Sequence, residues 1–307
     1  LGIDGIWLMP ITASDTYHGY SVTDYVTVNP DYGTEDDLKR LLDEAHSRDM
    51  KVIMDLVINH TSINHPWFQA AKSDENSEYR DYYRWVYKTD KKDCNHLLDK
   101  SSWGDMVWHQ EGDFYYYGVF GADMPDLNYN NPDVRQAAKD AAGHWLELGL
   151  DGFRMDAAVH IYGAHEFKQQ GDSEAANITW WNEFAGYCES INSDVYLVGE
   201  VWQDDKVLEN YVQPFDTKFD FAIQQKILNC VQKGMAVPGF GDSLSVAIEN
   251  IQNKYDGVDA NYLNGIFGAN HDQDRIASSV NSLDKARQIA AVYMTLPGNP
   301  YIYYGEE

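Results

Sequence analysis

The sequence predicts an α/β fold built on a parallel sheet. Short β-rich runs alternate with helix-like segments along most of the chain, which is the pattern of parallel strands joined by crossover helices. Several of those runs end in a cluster of charged or polar residues. One long polar and aromatic stretch interrupts the alternation and predicts an insertion. Taken in order, "GIDGIWLMPI" (2–11) reads as a strand. "TEDDLKRLLDEAHSRDM" (34–50) reads as a helix, with Thr34 as N-cap and Asp37 as the acidic residue three positions on. "KVIMDLVI" (51–58) is the next strand. A helix over 132–149 is opened by Pro132 and closed by Gly149. Further strands are expected at "DGFRMD" (151–156), "VYLVGE" (195–200), "KFDFA" (218–222), "LNGIFGAN" (263–270) and "PYIYYG" (300–305). The interruption runs from Asn59 to Asn131, too long for an ordinary loop, and reads as a small inserted domain. Tyr115–Tyr117, inside it, read as strand or core rather than as ligand contacts.

The 307 residues, 44% of them hydrophobic, suffice for one large domain or two smaller ones. A net charge of −26 argues against nucleic acid or an anionic membrane surface as partner and favours a neutral or cationic ligand. A merely solubilising acidic surface would have the same composition. No run reaches the roughly 18 apolar residues of a membrane helix, and no signal peptide is visible. The chain opens without an initiator Met on what reads as mid-domain strand, so signals upstream can be missing. Cys94, Cys188 and Cys230 form neither a disulfide framework nor a zinc pattern. The 22 Tyr and 9 Trp are mostly core material, but flat rings also suit a sugar-binding cleft.

Within "LGLDGFRMDAAVH" (148–160) an apolar run ends with Arg154 and Asp156 two residues apart, so a strand would project both from one face. Alone, such a pair is more often structural. Asn59 and His60, Glu200, and Asn270, His271 and Asp272 stand at other strand ends. In a (β/α)₈ barrel catalytic residues sit at the C-terminal ends of strands, so the whole set points to catalysis.

The segments "DLVINH" (55–60), "GFRMDAAVH" (152–160), "VGEVW" (198–202) and "FGANHD" (267–272) resemble the four signature regions of the α-amylase family of glycoside hydrolases. "MPDLN" (124–128) resembles a fifth region, in the form typical of the group intermediate between oligo-1,6-glucosidases and neopullulanases. The resemblance spans essentially the whole chain. It implies a (β/α)₈ TIM barrel with a small domain inserted after the third strand. Residues 1–58 and 132–307 would form the catalytic barrel from its second to its eighth strand, and 59–131 the inserted domain B. The first strand and helix, the eighth helix and the C-terminal β domain are expected to be missing.

The resemblance also implies the chemistry. A retaining glycosidase needs one ionised and one protonated carboxyl group. Asp156 would be the nucleophile, with the Arg154 cation favouring its ionised form and fixing its orientation. Glu200, in an apolar run with no cation adjacent in sequence, would be the general acid and then the base. Asp272 would bind sugar hydroxyls and favour the oxocarbenium-like transition state. His60 and His271 would bond hydroxyls of the sugar being cleaved, Tyr20 of "YHGY" (17–20) would stack on it, and His18 would line the site. Trp202 and His160 would contact substrate. Val159 stands where starch-active relatives often carry Lys, and Gly268 where a larger apolar residue is common. Asp55 matches a structural position. Asn59 and Asp126 match a place where many members hold calcium, an ion suited to oxygen ligands. No organic cofactor is expected. Tyr17 stands where relatives that release single glucose units carry an acid, which favours an endo-acting α-amylase on α-glucans. The alternatives are an α-glucosidase, a cyclomaltodextrinase- or neopullulanase-like enzyme, an inactive fragment, or a non-catalytic relative like the transporter heavy chains. An extracellular bacterial setting is favoured, and the oligomeric state is open.

Overall fold

In the computed structural model, which describes residues 2–89, 97–163, 173–203, 205–234 and 243–307, the chain divides into two compact units, Leu1–Leu197 and Val198–Glu307. Cys94 lies outside the described residues.

The first unit begins with β1 (Gly5–Leu8) and an antiparallel hairpin, β2 (Thr12–Ser14) and β3 (Val22–Val28). The expected strand over 2–11 is thus shorter, and the hairpin is an element the sequence reading did not contain. Helix α1 (Glu35–His46) starts as expected: Thr34 Oγ1 accepts from Asp37 N, and the Asp37 carboxylate accepts from Thr34 N. β4 (Lys51–Leu56) is buried along nearly its whole length, as a central parallel strand must be. It pairs in parallel with β1 on one side and with β8 on the other. Between them come α2 (Pro66–Ser73), β5 (Trp85–Tyr87), β6 (Trp108–Glu111), β7 (Phe114–Tyr117), α3 (Pro132–Leu148) and β8 (Gly152–Met155). Helix α3 has Pro132 in its first turn and ends on Gly149 in the left-handed conformation. Helix α4 (Ser173–Ile191) buries Trp180, Trp181 and Phe184, and the division between the units falls within β9 (Tyr196–Gly199).

β5, β7 and β6 form an antiparallel sheet with a core of Val86, Val107, Trp108, Tyr117 and Val119. The segment is tied to the end of β4 by backbone bonds: Leu127 N donates to Asn59 O (2.9 Å) and Thr61 N to Pro125 O (3.1 Å). Tyr129 Oη donates to Ile58 O at 2.6 Å. These bonds bring "MPDLN" beside Asn59 and His60.

In the second unit α5 (Asp205–Leu208) precedes β10 (Thr217–Lys218), α6 (Phe221–Lys233), α7 (Leu244–Asp256), β11 (Gly265–Phe267), α8 (Ile276–Val280), α9 (Leu283–Tyr293) and β12 (Asn299–Tyr301). β10 pairs in parallel with the Val198–Gly199 end of β9, and β11 pairs in parallel with β12. A parallel bridge, Phe219 to Gly265, links the two pairs. The expected strand over 218–222 stops early because Asp220 caps α6: its Oδ1 accepts from Ile223 N at 2.8 Å, so Phe221 and Ala222 are helical. Among the described residues no helix is long and apolar enough to cross a membrane.

Candidate active site

The first unit assembles its polar residues at the C-terminal ends of β4 and β8. Parallel pairing sets Asp55 opposite Arg154, and strand alternation puts Asp156 on the side of Arg154. The guanidinium nitrogen Nη1 of Arg154 donates to Asp55 Oδ1 (2.8 Å), Asp156 Oδ1 (2.6 Å) and Tyr20 Oη (3.4 Å). Tyr20 Oη in turn donates to Asp55 Oδ2 at 2.9 Å. Asp55, Arg154 and Asp156 are all buried. The charged pair that ends an apolar strand is therefore one edge of a three-residue buried ion cluster. Burial, then the negative charge of Asp55, pushes the Tyr20 phenol far above its ordinary range, so it stays a hydrogen-bond donor.

Directly after Asp156 the backbone turns sharply. Ala157 has φ 50°, in the left-handed region that costs a residue with a side chain about 1–3 kcal/mol. The turn closes with His160 N donating to Ala157 O at 2.8 Å. The loop carrying His18 and Tyr20 is the tip of the β2–β3 hairpin. Gly19 has φ 83°, and a Cβ there would lie 2.8 Å from Pro10 O, so the third residue of "YHGY" must be glycine. His18 Nδ1 accepts from Tyr20 N (3.1 Å), which leaves the proton of a neutral ring on Nε2. The rings of His18 and Tyr20 stack at 5.9 Å.

His60 is 2% exposed. Its Nε2 faces Tyr20 O at 3.1 Å and must donate there, while Nδ1 meets the Asn59 side chain at 3.3 Å. Burial lowers its pKa to about 4. Both nitrogens thus hold protein groups, and the visible work of this ring is to position Tyr20 rather than to present a donor to a hydroxyl. Phe120 lies against it at 5.3 Å, and Phe120 also contacts His160 (5.3 Å) and Trp103 (5.5 Å). Sequence reasoning missed Phe120 and Trp103. Tyr17 is 95% exposed at the hairpin tip.

In the second unit Glu200 follows β9 directly and is partly exposed. Trp202 is 53% exposed, and its ring stacks on Phe221 at 4.3 Å and 6°. After β11 the chain turns so that Asn270 Oδ1 accepts from Asp272 N at 3.0 Å. His271 Nε2 and Asp272 Oδ2 are 3.1 Å apart, with the Asp272 side chain 44% exposed. Gln224 of α6, another residue the sequence reading missed, donates from Nε2 to Gly268 O at 2.8 Å and steadies the turn. A Cβ on Gly268 would strike Ile276 Cδ1, so in this chain Ile276 and Tyr293 fill the space a larger residue would take.

Asn59 and Asp126, the expected calcium ligands, are both buried and lie on paired segments. Among the described residues Asn59 Oδ1 meets no hydrogen-bond donor, which suits a metal ligand. Asp126 Oδ1 accepts from Val119 N at 3.1 Å. Among the described residues no group of three or more His, Cys, Asp and Glu side chains could hold a metal ion. Two side-chain donors are fewer than the six to eight oxygens calcium takes, so backbone carbonyls and water would have to supply the rest.

A family model described as alpha amylase, catalytic domain, matches residues 1–307. "Alpha-amylase 3" of Dictyoglomus thermophilum is 42% identical over 310 residues, covering 100% of this chain and 57% of that protein. A "4-alpha-glucanotransferase" of Thermotoga neapolitana is 35% identical over 311 residues, covering 100% of this chain and 64% of that protein. The crystal structure of an alpha-amylase from H.orenii superposes with a TM-score of 0.87 at 43% identity, covering 100% of this chain and 60% of that one. The chain therefore spans about three fifths of the length of the proteins it matches.

Proposed function

The chain belongs to the α-amylase catalytic-domain family, and from that premise we propose that the protein is an endo-acting α-amylase, cutting internal α-1,4-glucosidic bonds of starch and maltooligosaccharides with retention. The observation that carries this reading is the contact of Arg154 Nη1 with both Asp156 Oδ1 (2.6 Å) and Asp55 Oδ1 (2.8 Å). It fixes a carboxylate in a non-titrating cationic environment, which is what a nucleophile in constant ionised form requires. With both carboxylates ionised the cluster keeps one net negative charge, suited to a cationic transition state.

In the proposed mechanism an Asp156 oxygen attacks the anomeric carbon as the glycosidic C–O bond breaks. Glu200 gives its proton to the departing sugar oxygen, so a covalent glycosyl-enzyme and a shortened glucan result. Glu200, now a carboxylate, takes a proton from water as that water attacks the same carbon and releases Asp156. Asp272 and His271 bind hydroxyls of the reacting sugar, Tyr20 stacks on it, and His18 offers its Nε2 proton. His160 and Trp202 contact neighbouring sugars. Full proton exchange at Glu200 needs contact with solvent, and its partial exposure supports that role.

The (β/α)₈ barrel, from its second to its eighth strand (1–58, 132–307), and the inserted domain B (59–131) belong to this proposal. The parallel pairings in each unit and the separate antiparallel sheet of β5, β6 and β7 support it. Calcium at Asn59 and Asp126 is likewise proposed, on the buried orphan oxygen of Asn59. It would stabilise the junction, and a chelator should then lower Tm reversibly.

Endo action is supported by the exposed, uncharged ring of Tyr17. A carboxylate at that place would accept bonds from a chain-end sugar and be left desolvated under a longer chain. The test is the early product profile from amylose: mixed maltooligosaccharides, with viscosity falling faster than reducing ends appear. Glucose alone from the first minutes would replace this reading by an α-glucosidase. Products longer than a maltooligosaccharide substrate would replace it by glucanotransfer, the activity named for the Thermotoga relative.

A further inference from the structure

We propose that Asn177, seconded by Trp181 one helical turn further on, is a positioning residue for the nucleophile: it holds the strained turn after β8 in the shape that aims Asp156 and places His160. The inference rests on the reading of Asp156 given above and brings α4 into the reaction.

The buried amide of Asn177 bonds the turn at two points. Its Nδ2 donates to Val159 O and its Oδ1 accepts from Tyr162 N, each at 2.9 Å. Only this orientation of the amide gives the carbonyl a donor and the N–H an acceptor. Trp181, also buried, donates from Nε1 to Ala158 O at 2.8 Å. Residues four apart on a helix lie on one face, so a single face of α4 grips the backbone from Ala158 to Tyr162. An amide bonded at both ends in a dry interior is held firmly, and so is the segment it holds.

The turn needs such a hold. Ala157, the residue after the nucleophile, is left-handed, a shape that persists only where its surroundings over-determine it. The bond from Asp156 N to Leu56 O is 3.4 Å long, so the sheet grips the backbone weakly at that point. Arg154 fixes the Asp156 carboxylate, not the chain that follows it. At the far end Tyr162 Oη donates to Tyr129 O at 3.0 Å, and Tyr129 Oη to Ile58 O, which ties the turn back to the end of β4. Buried backbone groups need partners wherever they lie. Here the partners come from one helix face and fall directly behind the strained residue, on both sides of His160. A small shift of that backbone would carry the attacking oxygen off line, and misplacement of about 1 Å can cost a hundredfold in rate.

The test uses the full-length protein with Asn177→Ala, Trp181→Phe, and Asn177→Ala combined with Ala157→Gly. The probe is a fluorinated α-glucosyl fluoride. Its fluoride leaves as an Asp156 oxygen bonds the anomeric carbon, so the labelling rate reads the attack and the final extent counts intact sites. Asn177→Ala should lower that rate, and kcat on maltoheptaose, roughly 10–100-fold, with KM within about threefold and about one label per chain at completion. Trp181→Phe keeps a packing ring and drops one hydrogen bond, so it should lose about threefold to tenfold. Glycine adopts the left-handed shape without strain, so adding Ala157→Gly should raise the rate of Asn177→Ala by about threefold or more. A parental labelling rate in Asn177→Ala overturns the proposal, as does a loss that appears only as fewer labelled sites, or no recovery with Ala157→Gly; the proposed function then still stands. Should Asn177→Ala fail to fold, Asn177→Asp decides, since it keeps the size and the acceptor for Tyr162 N and replaces the donor to Val159 O; a parental rate from it overturns the proposal. A parent protein that takes up no label and cleaves no α-glucan overturns the proposed function itself, and this inference with it.

Discussion

The two units hold their acidic residues in contrasting ways. In the first, Asp156 and Asp55 are buried and share one guanidinium with a tyrosine that is itself held as a donor. In the second, Asp272 is 44% exposed, touching His271 at 3.1 Å, and Glu200 follows its strand partly open to water. The difference matches the demands of the proposed steps. A nucleophile should be ionised and aimed before substrate arrives, which a buried cation achieves and bulk water does not. A group that exchanges a proton with water in each cycle must stay reachable by it. Rigid preorganisation is concentrated at one carboxylate, while its counterparts stay in contact with solvent.

Mutation of each cluster should break or sharpen that contrast, and the largest effect should come from the nucleophile. Asp156→Asn in the full-length protein should lower kcat by about 10⁴-fold or more on every substrate. Glu200→Gln should spare an activated aryl maltoside far more than starch, because a good leaving group needs little protonation. Equal losses on both substrates would remove Glu200 as general acid.

Stability should show the same asymmetry. Asp55→Asn leaves a buried guanidinium short of one carboxylate, and denaturant titration should find a loss of about 3–5 kcal/mol. Asp272→Asn, at a half-exposed pair, should cost at most about 1 kcal/mol while still reducing activity. Comparable losses for the two would show that burial is not what separates the clusters.

Acid should weaken the first unit through His60 and through His65, the residue that caps α2, both lowered to about 4 by burial from the ordinary value of 6.5. Their folded forms are neutral, so the unfolded chain takes up protons first as pH falls below 6.5. Stability is complete above that value and is lost progressively down to about pH 4, by up to about 3 kcal/mol for each ring. Calorimetry across that window should show Tm falling, and His65→Gln should flatten part of the slope. The smallest effect is one of product choice: Tyr17→Asp should shift early products toward glucose without lowering total turnover more than a few-fold.

Much of this was legible in the sequence where local chemistry repeats itself. Thr34 with Asp37, and Pro132 with Gly149, marked helix ends that the structure reproduces. Each of the seven expected strand segments overlaps a strand, and β8 and β11, buried along their whole length, read as apolar runs for that reason. The hairpin of β2 and β3 was missed because β2 has only three residues and β3, though seven long, is partly exposed and mixes polar with apolar residues, so no apolar run announces it. The strand expected at 218–222 ran too far because Phe221 and Ala222 look apolar in either state, and only the Asp220 cap decides for helix. Arg154 with Asp156 was readable from a spacing of two. The shared contact with Asp55 and Tyr20 was not, since register between β4 and β8 and the hairpin tip bring together residues far apart in sequence. Trp103 and Phe120 were hidden for the same reason: ring contacts across loops leave no period in the chain.

The claim that Asp156 is a nucleophile can be met head-on by trapping the covalent intermediate. A fluorinated α-glucosyl fluoride, which forms the glycosyl-enzyme faster than water releases it, is incubated with the full-length protein and the digest is read by peptide mass spectrometry. One added glycosyl group is expected, on Asp156, in the peptide that spans residues 152–160. A label on Glu200 or Asp272, or turnover of the fluoride with inversion and no labelled peptide, would contradict it.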